Sequence, residues 1–123
     1  MTKRNVVHIE IPAQDVSKAA AFYRDLFGWN MVVDEKMHYT MWEPVQGPGG
    51  GFNPLDENNK PGDVLIYVDS DDIEADLIQV KELGGTVVAP KTEITGIGWF
   101  GVFLDPTGNK VALYTSRNPE FNP

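Results

Sequence analysis

His8 and Glu10 stand two residues apart in the run Val6-Val7-His8-Ile9-Glu10-Ile11-Pro12. An extended strand turns alternate side chains to the same side, so Val7, Ile9 and Ile11 share one face and Val6, His8 and Glu10 the other. An imidazole beside a carboxylate on one face can move a proton to or from a bound molecule, or Glu10 can hold a cationic one. It is equally compatible with quieter roles, in which His8 is a hydrogen-bonded lining residue and Glu10 is paired with an arginine or a hydroxyl. Both readings stay open at this stage. His38 is placed on the surface or on a cleft rim. Trp42, Tyr67, Trp99, Phe103 and Tyr114 sit on strand segments and are the aromatic candidates for a ligand-binding wall, with plain core as the alternative.

The elements that must position these groups occur twice. Ile9-Glu10-Ile11-Pro12, Asp15-Val16 and an apolar-periodic stretch ending Leu26-Phe27-Gly28 return as Ile66-Tyr67-Val68-Asp69, Asp72-Ile73 and a stretch ending Leu83-Gly84-Gly85. In the first copy Asp15 suits a helix cap, and Val16, Ala19, Ala20, Tyr23, Leu26 and Phe27 recur at helical spacing before Gly28. Residues 29–33, 37–43 and 50–53 read as strands. In the second copy, strand 64–68 precedes a helix that Asp71 and Glu74 would open as a capping box, with Ile73, Leu77, Val80 and Leu83 as its apolar face. Strands follow at 86–89, 99–104 and 110–115. Each copy is therefore strand, helix, three strands. Module one covers about 5–55, a polar linker 56–62, module two about 63–116, and a tail 117–123 is expected to be weakly ordered or to wrap a neighbour. The fold class is α+β in one domain, 1–123.

Composition excludes several functions. With 123 residues, 41% of them hydrophobic and 11% aromatic, the chain can bury a substantial core. A net charge of −8 argues against nucleic acid, whose affinity comes from Lys and Arg. There is no cysteine, hence no disulfide, zinc-thiolate site or thiol nucleophile, which suits the cytoplasm. No apolar run approaches a membrane span, so no membrane partner is expected. Gly47, Gly49, Gly50 and Gly51 lack the strand-to-helix setting and the Lys-Ser or Lys-Thr of a phosphate loop; a bulge or a flexible cleft edge is the expectation. Ser17, Ser70 and Ser116 have no His and Asp arranged for nucleophilic catalysis.

The paired repeat, Ala20-Ala21-Phe22-Tyr23-Arg24-Asp25-Leu26-Phe27-Gly28-Trp29, Glu82-Leu83-Gly84-Gly85 and Phe103-Leu104-Asp105-Pro106-Thr107-Gly108-Asn109 together resemble the vicinal oxygen chelate superfamily. That superfamily includes glyoxalase I, extradiol dioxygenases and bleomycin-resistance proteins. The resemblance covers about residues 5–116. It implies two βαβββ modules whose curved mixed sheets enclose a cleft, helices outside, and a homodimer. It also implies a divalent metal held by His and Glu from the first and last strands of each module. Of those positions only His8 carries a ligand. The repeat places Leu65 opposite His8, Ala112 at the final-strand position of module two, and Gly50 as the best match in module one. One ligand of four is too few for a three-ligand catalytic centre, so a metal cofactor is disfavoured unless another chain completes it. The resemblance then implies either a protein that binds a small molecule without the family's metal, or a glyoxalase-type lyase or isomerase using His8 and Glu10 for proton transfer, with dioxygenase chemistry ranked below both. A bare interaction module, its cleft filled by its own aromatics, is a third and weaker reading.

Overall fold

A computed structural model describes residues 4–117. The elements are β1 (Val6–Pro12), α1 (Val16–Phe27), β2 (Asn30–Asp34), β3 (Tyr39–Glu43) and β4 (Gly49–Asn53), then β5 (Leu65–Asp69), α2 (Ile73–Glu82), β6 (Thr86–Ile94), β7 (Gly98–Leu104) and β8 (Lys110–Ser116). Both repeats therefore have the order βαβββ, and the fold is α+β. By their contacts the residues form two units: His8–Leu65, and a second comprising residues up to Val7 together with Ile66 onward. The division falls inside β1.

In the unit His8–Leu65 the strand order is β2-β3-β4-β1. β1 runs parallel to β4, with His8 beside Gly49 and Glu10 beside Gly51, and the other two pairings are antiparallel. α1 begins where Asp15 leaves helical geometry and accepts a hydrogen bond from the Lys18 amide. It ends at Gly28, whose φ of 74° is a left-handed turn and whose N–H donates to the Arg24 carbonyl. Ile9, Ile11, Val16, Ala19, Ala20 and Tyr23 pack with buried Ala13, Trp42 and Phe52. Helical periodicity overstates the buried face, because Leu26 and Phe27 in the last turn are more than half exposed.

In the other unit the strand order is β5-β8-β7-β6, with β5 and β8 parallel. Asp72, not Asp71, caps α2: its backbone is extended and its carboxylate accepts from the Ala75 amide at 3.0 Å. Ile73 and Leu77 are buried against Leu113, Val68 and Val87, whereas Leu83, expected on the same face, is 71% exposed. β6 extends past Ala89 through Pro90 to Ile94. It has one neighbour within the unit, β7, and irregular register at Val87/Ala89 and Ala89/Thr92 accommodates the proline's missing N–H. Arg4 forms a two-pronged ion pair with Asp76 at 2.5 and 2.9 Å, and the Ser70 hydroxyl donates to the same carboxylate at 2.6 Å. The Asp105 to Asn109 turn is closed by the Asp105 carboxylate, which accepts from the Thr107 and Asn109 amides. Among the described residues no helix is long and apolar enough to cross a membrane. Except for Arg117, the tail lies outside the described residues.

Candidate functional site

His8 and Glu10 share the face of β1 turned away from the α1 core, as their alternation with Ile9 and Ile11 requires. Between them sits a residue that the sequence did not single out, Tyr39 at the start of β3. Its hydroxyl donates to Glu10 Oε2 at 3.0 Å and lies 2.8 Å from His8 Nε2. A phenol has one hydrogen, so with that hydrogen on Glu10 the His8 Nε2 supplies its own N–H to the Tyr39 oxygen. The array runs His8 N–H to Tyr39 O–H to Glu10. Glu10 thus has the hydroxyl partner that its structural reading required.

Tyr39 reaches this place because Gly51 has no side chain. A Cβ at Gly51 would lie 2.1 Å from both the Tyr39 ring carbon Cζ and its hydroxyl oxygen. Gly50 makes equivalent room on the other face, where an added Cβ would lie 2.4 Å from the Trp42 indole and 2.1 Å from the Ile9 carbonyl oxygen. The glycine run is therefore a regular β4 strand that seats one aromatic ring on each face, not a bulge or a flexible edge. Gly51, Gly49 and Asn53 alternate onto the face of His8 and Glu10. Asn53 Oδ1 is buried there with no hydrogen-bond partner among the described residues.

Burial pushes the His8 imidazole below its ordinary 6.5, with Glu10 pulling the other way. The ring is therefore neutral at pH 7, which agrees with its role as a single N–H donor to Tyr39.

The other expected site residues are scattered. Trp42 is 5% exposed and packs at 4.5 Å between ring centres on Trp29, on the α1 side of the strands rather than beside His8. Trp99 and Phe103 pack on the α2 side against the cluster of Ile73, Leu77 and Leu113. The Trp99 ring is flanked by Lys91 and Arg117, 5.2 and 4.8 Å from its centre. Tyr67 and Tyr114 alternate with Val68 and Leu113 and so lie on the opposite strand face, with Ala112. His38 is not in a strand: Asp34 accepts from the Lys36 and Met37 amides, and the chain turns through a His38 φ of 51° before β3 starts. That turn shifts Tyr39 to the position which counts. Two signals could have found it: Tyr39 has the parity of Met41, which pairs with Gly51, and a glycine beside an aromatic strand residue leaves a ring-sized space.

Strand register fixes which residues stand at the family's metal positions. Glu10 pairs with Gly51 as Tyr67 pairs with Ala112, so the module-one counterpart of Ala112 is Gly51 and not Gly50. A metal-binding carboxylate at Gly51 would need the volume that the Tyr39 ring fills. Ala112 is 0% exposed and has no donor. Among the described residues no group of three His, Cys, Asp or Glu side chains could hold a metal ion. The donor set does not fit the family's divalent metal.

Residues 6–114 match the family described as the glyoxalase-like domain, and this chain belongs to that family. A glyoxylase-like domain-containing protein of Didymella fabae is 30% identical over 87% of this chain and 90% of its own length. The anthracycline biosynthesis protein DnrV of Streptomyces peucetius is 27% identical over 85% of this chain. The putative glyoxylase CFP32 of Mycobacterium tuberculosis is also 27% identical, over 89% of this chain. The matches span 44% of the length of these last two relatives. Among solved structures, methylmalonyl-CoA epimerase from Mycobacterium tuberculosis superimposes with a TM-score of 0.69 at 15% identity, covering 96% of this chain and 93% of that one. The Streptomyces coelicolor epimerase in complex with 2-nitronate-propionyl-CoA gives 0.64 at 19% identity, covering 95% and 100%. These likenesses establish the vicinal oxygen chelate fold.

Proposed function

We propose that this protein binds a small organic molecule on the strand face carrying His8, Tyr39 and Glu10, without the family's divalent metal. The observation that carries this reading is Tyr39, whose ring fills the space beside Gly51 and whose hydroxyl engages both remaining polar groups. DnrV is named for anthracycline biosynthesis, and an anthracycline-type planar aromatic is accordingly the first ligand class to try. The test combines elemental analysis with ligand titration followed by NMR. Tag-free protein is loaded with Ni, Zn, Fe, Mn or Co, desalted and analysed. Retention of less than a tenth of an equivalent of metal, on the order expected for so few donors, together with shifts of His8 and Tyr39 signals on ligand addition, is the expected result. About one metal per chain, lost in His8→Ala, would overturn it.

A second reading is a metal-free lyase or isomerase, and the Tyr39 to Glu10 hydrogen bond favours it. A carboxylate held by a phenol is positioned to take a proton from a carbon next to a carbonyl. Exchange of such a proton for deuterium in a panel of ketones and thioesters, abolished in Glu10→Gln, would bring this reading forward. Within either reading two copies associate, which sedimentation equilibrium tests, and the cysteine-free chain is assigned to the reducing cytoplasm.

A further inference from the structure

We propose that the cleft between α2 and β6 is a second binding site, which takes a small amphiphile made of an apolar body and one carboxylate. It does not depend on the His8 face. Glu74, Leu77, Ile78 and Lys81 recur at three and four along α2 and so form one stripe of that helix. Val87, Pro90 and Lys91 of β6 line the other side of a cleft of about 400 Å³. Pro90 and Lys91 are neighbours in the chain, and both reach the cleft because the register of β6 breaks between Ala89 and Thr92, where strict alternation stops. A volume of this size falls at the small end of the range for organic-ligand sites.

The lining has two kinds of chemistry. Leu77 is buried, Val87 is half-buried, and Ile78 is 60% exposed, an apolar side chain that the core leaves uncovered. An apolar body lying along these groups removes their surface from water, which favours binding. The Lys81 ammonium has no hydrogen-bond or ion-pair partner among the described residues. Lys91 stands 3.9 Å from Glu74, at the outer limit of an ion pair, and Glu74 is 75% exposed. A pair of that kind is weak, so a ligand carboxylate can compete for Lys91. Two ammonium groups against one carboxylate leave the cleft one positive charge in excess, within a chain of net charge −8. One anionic headgroup balances that excess, whereas a cationic headgroup adds to it. Lys91 also lies 5.2 Å from the centre of the Trp99 ring, so the indole senses any movement of that ammonium.

Decanoate, decanol and decyltrimethylammonium share one chain and differ in charge. Each is titrated in dissolved form into the full protein, with the Ile78 and Val87 methyl signals and the Trp99 indole N–H followed by NMR. Decanoate is expected to bind at least about tenfold more tightly than the other two, as a charge-assisted hydrogen bond warrants. Lys81→Gln and Lys91→Gln should each weaken decanoate about threefold and together about tenfold, and added salt should do the same. Decanol binding should be unchanged in both variants, which shows that the cleft is still folded, and should fall in Ile78→Ser. Lys18→Gln, on α1, should leave all three affinities as they were. Equal binding of decanoate and decanol, or decanoate binding unaffected by the Lys81 and Lys91 substitutions, overturns the site. So do decanoate shifts centred on His8 and Tyr39 in place of Ile78 and Val87, and the absence of any response at millimolar concentration. Capture by phosphatidylglycerol vesicles with no response to dissolved decanoate would also overturn it, assigning the cleft to a lipid surface. Each of these outcomes leaves the reading of the His8 face standing.

Discussion

Replacing Gly51 with alanine should dislodge Tyr39, and the size of the effect follows from the packing. The new methyl group would lie 2.1 Å from Tyr39 Cζ and 2.6 Å from Cε2, whereas unstrained carbon atoms meet at about 3.5–4.0 Å. The three nearest atoms all belong to the Tyr39 side chain. The ring therefore has to move by more than an ångström, which breaks its contacts with His8 and Glu10. Overpacking of this kind costs about 1–3 kcal/mol, and each lost hydrogen bond adds about 1 kcal/mol. Gly51→Ala should thus destabilise the protein by about 3–5 kcal/mol in urea unfolding. In a double-mutant cycle with Tyr39→Ala, the second substitution should relieve the first, giving a coupling of about 1–3 kcal/mol. Gly50→Ala is the contrast: there the added methyl meets the Ile9 carbonyl oxygen at 2.1 Å, so removing Tyr39 should give no relief. Additive effects of Gly51→Ala and Tyr39→Ala would show that the ring does not occupy the space beside Gly51, and the argument against the metal would lose its footing.

Other expectations concern single groups. His8 should titrate below 6.5 in an NMR pH series, and Glu10→Gln should lower its midpoint further by removing the carboxylate that favours the charged ring. Because the folded state prefers neutral His8, the unfolded chain takes up the extra proton first; this contribution to stability is whole above about pH 6.5 and declines as the pH falls toward the folded midpoint. His8→Ala and Glu10→Gln should abolish ligand binding while the melting temperature moves by only a few degrees, roughly 1 kcal/mol or less; destabilisation with unchanged binding would return both residues to structural roles. The hydrogen bond from Arg4 is the main reason that Asp76 lies below its ordinary 3.8. That contribution is present above about pH 4 and is lost as acid protonates Asp76, and Arg4→Ala should remove it at a cost of about 1 kcal/mol, small because Arg4 is half exposed.

The parts of the fold legible in the sequence were those with a local cause. Alternation along Val6–Ile11 placed His8 and Glu10 on one face, and the Asp15 and Gly28 caps bounded α1. What was missed had causes several strands away or hidden in turn geometry. Asp71 with Glu74 imitates a capping box, but the cap is the residue whose backbone is extended and whose carboxylate meets an amide, and that is Asp72. Trp42, Trp99 and Phe103 were expected at a ligand wall because aromatics suit one. Their parity had already put each of them on a definite face, but only the packing of α1 and α2 shows those faces to be core. Tyr39 was overlooked because an assumed strand through residue 37 drew attention to His38. The turn closed by Asp34 starts the strand at Tyr39 instead.

The distribution of tryptophans gives the molecule an internal optical label for each half. Trp29 and Trp42 are stacked at 4.5 Å with their planes 24° apart, close enough for their excited states to couple and to produce a paired circular-dichroism band. Trp99 belongs to the other unit and sits between two cationic side chains, whose field shifts its emission. Loss of the coupled band therefore follows the melting of the half that holds His8, Tyr39 and Glu10, and the shift in Trp99 emission follows the other. Whether the two repeats unfold as one cooperative body becomes readable from the unmodified chain, with no dye attached.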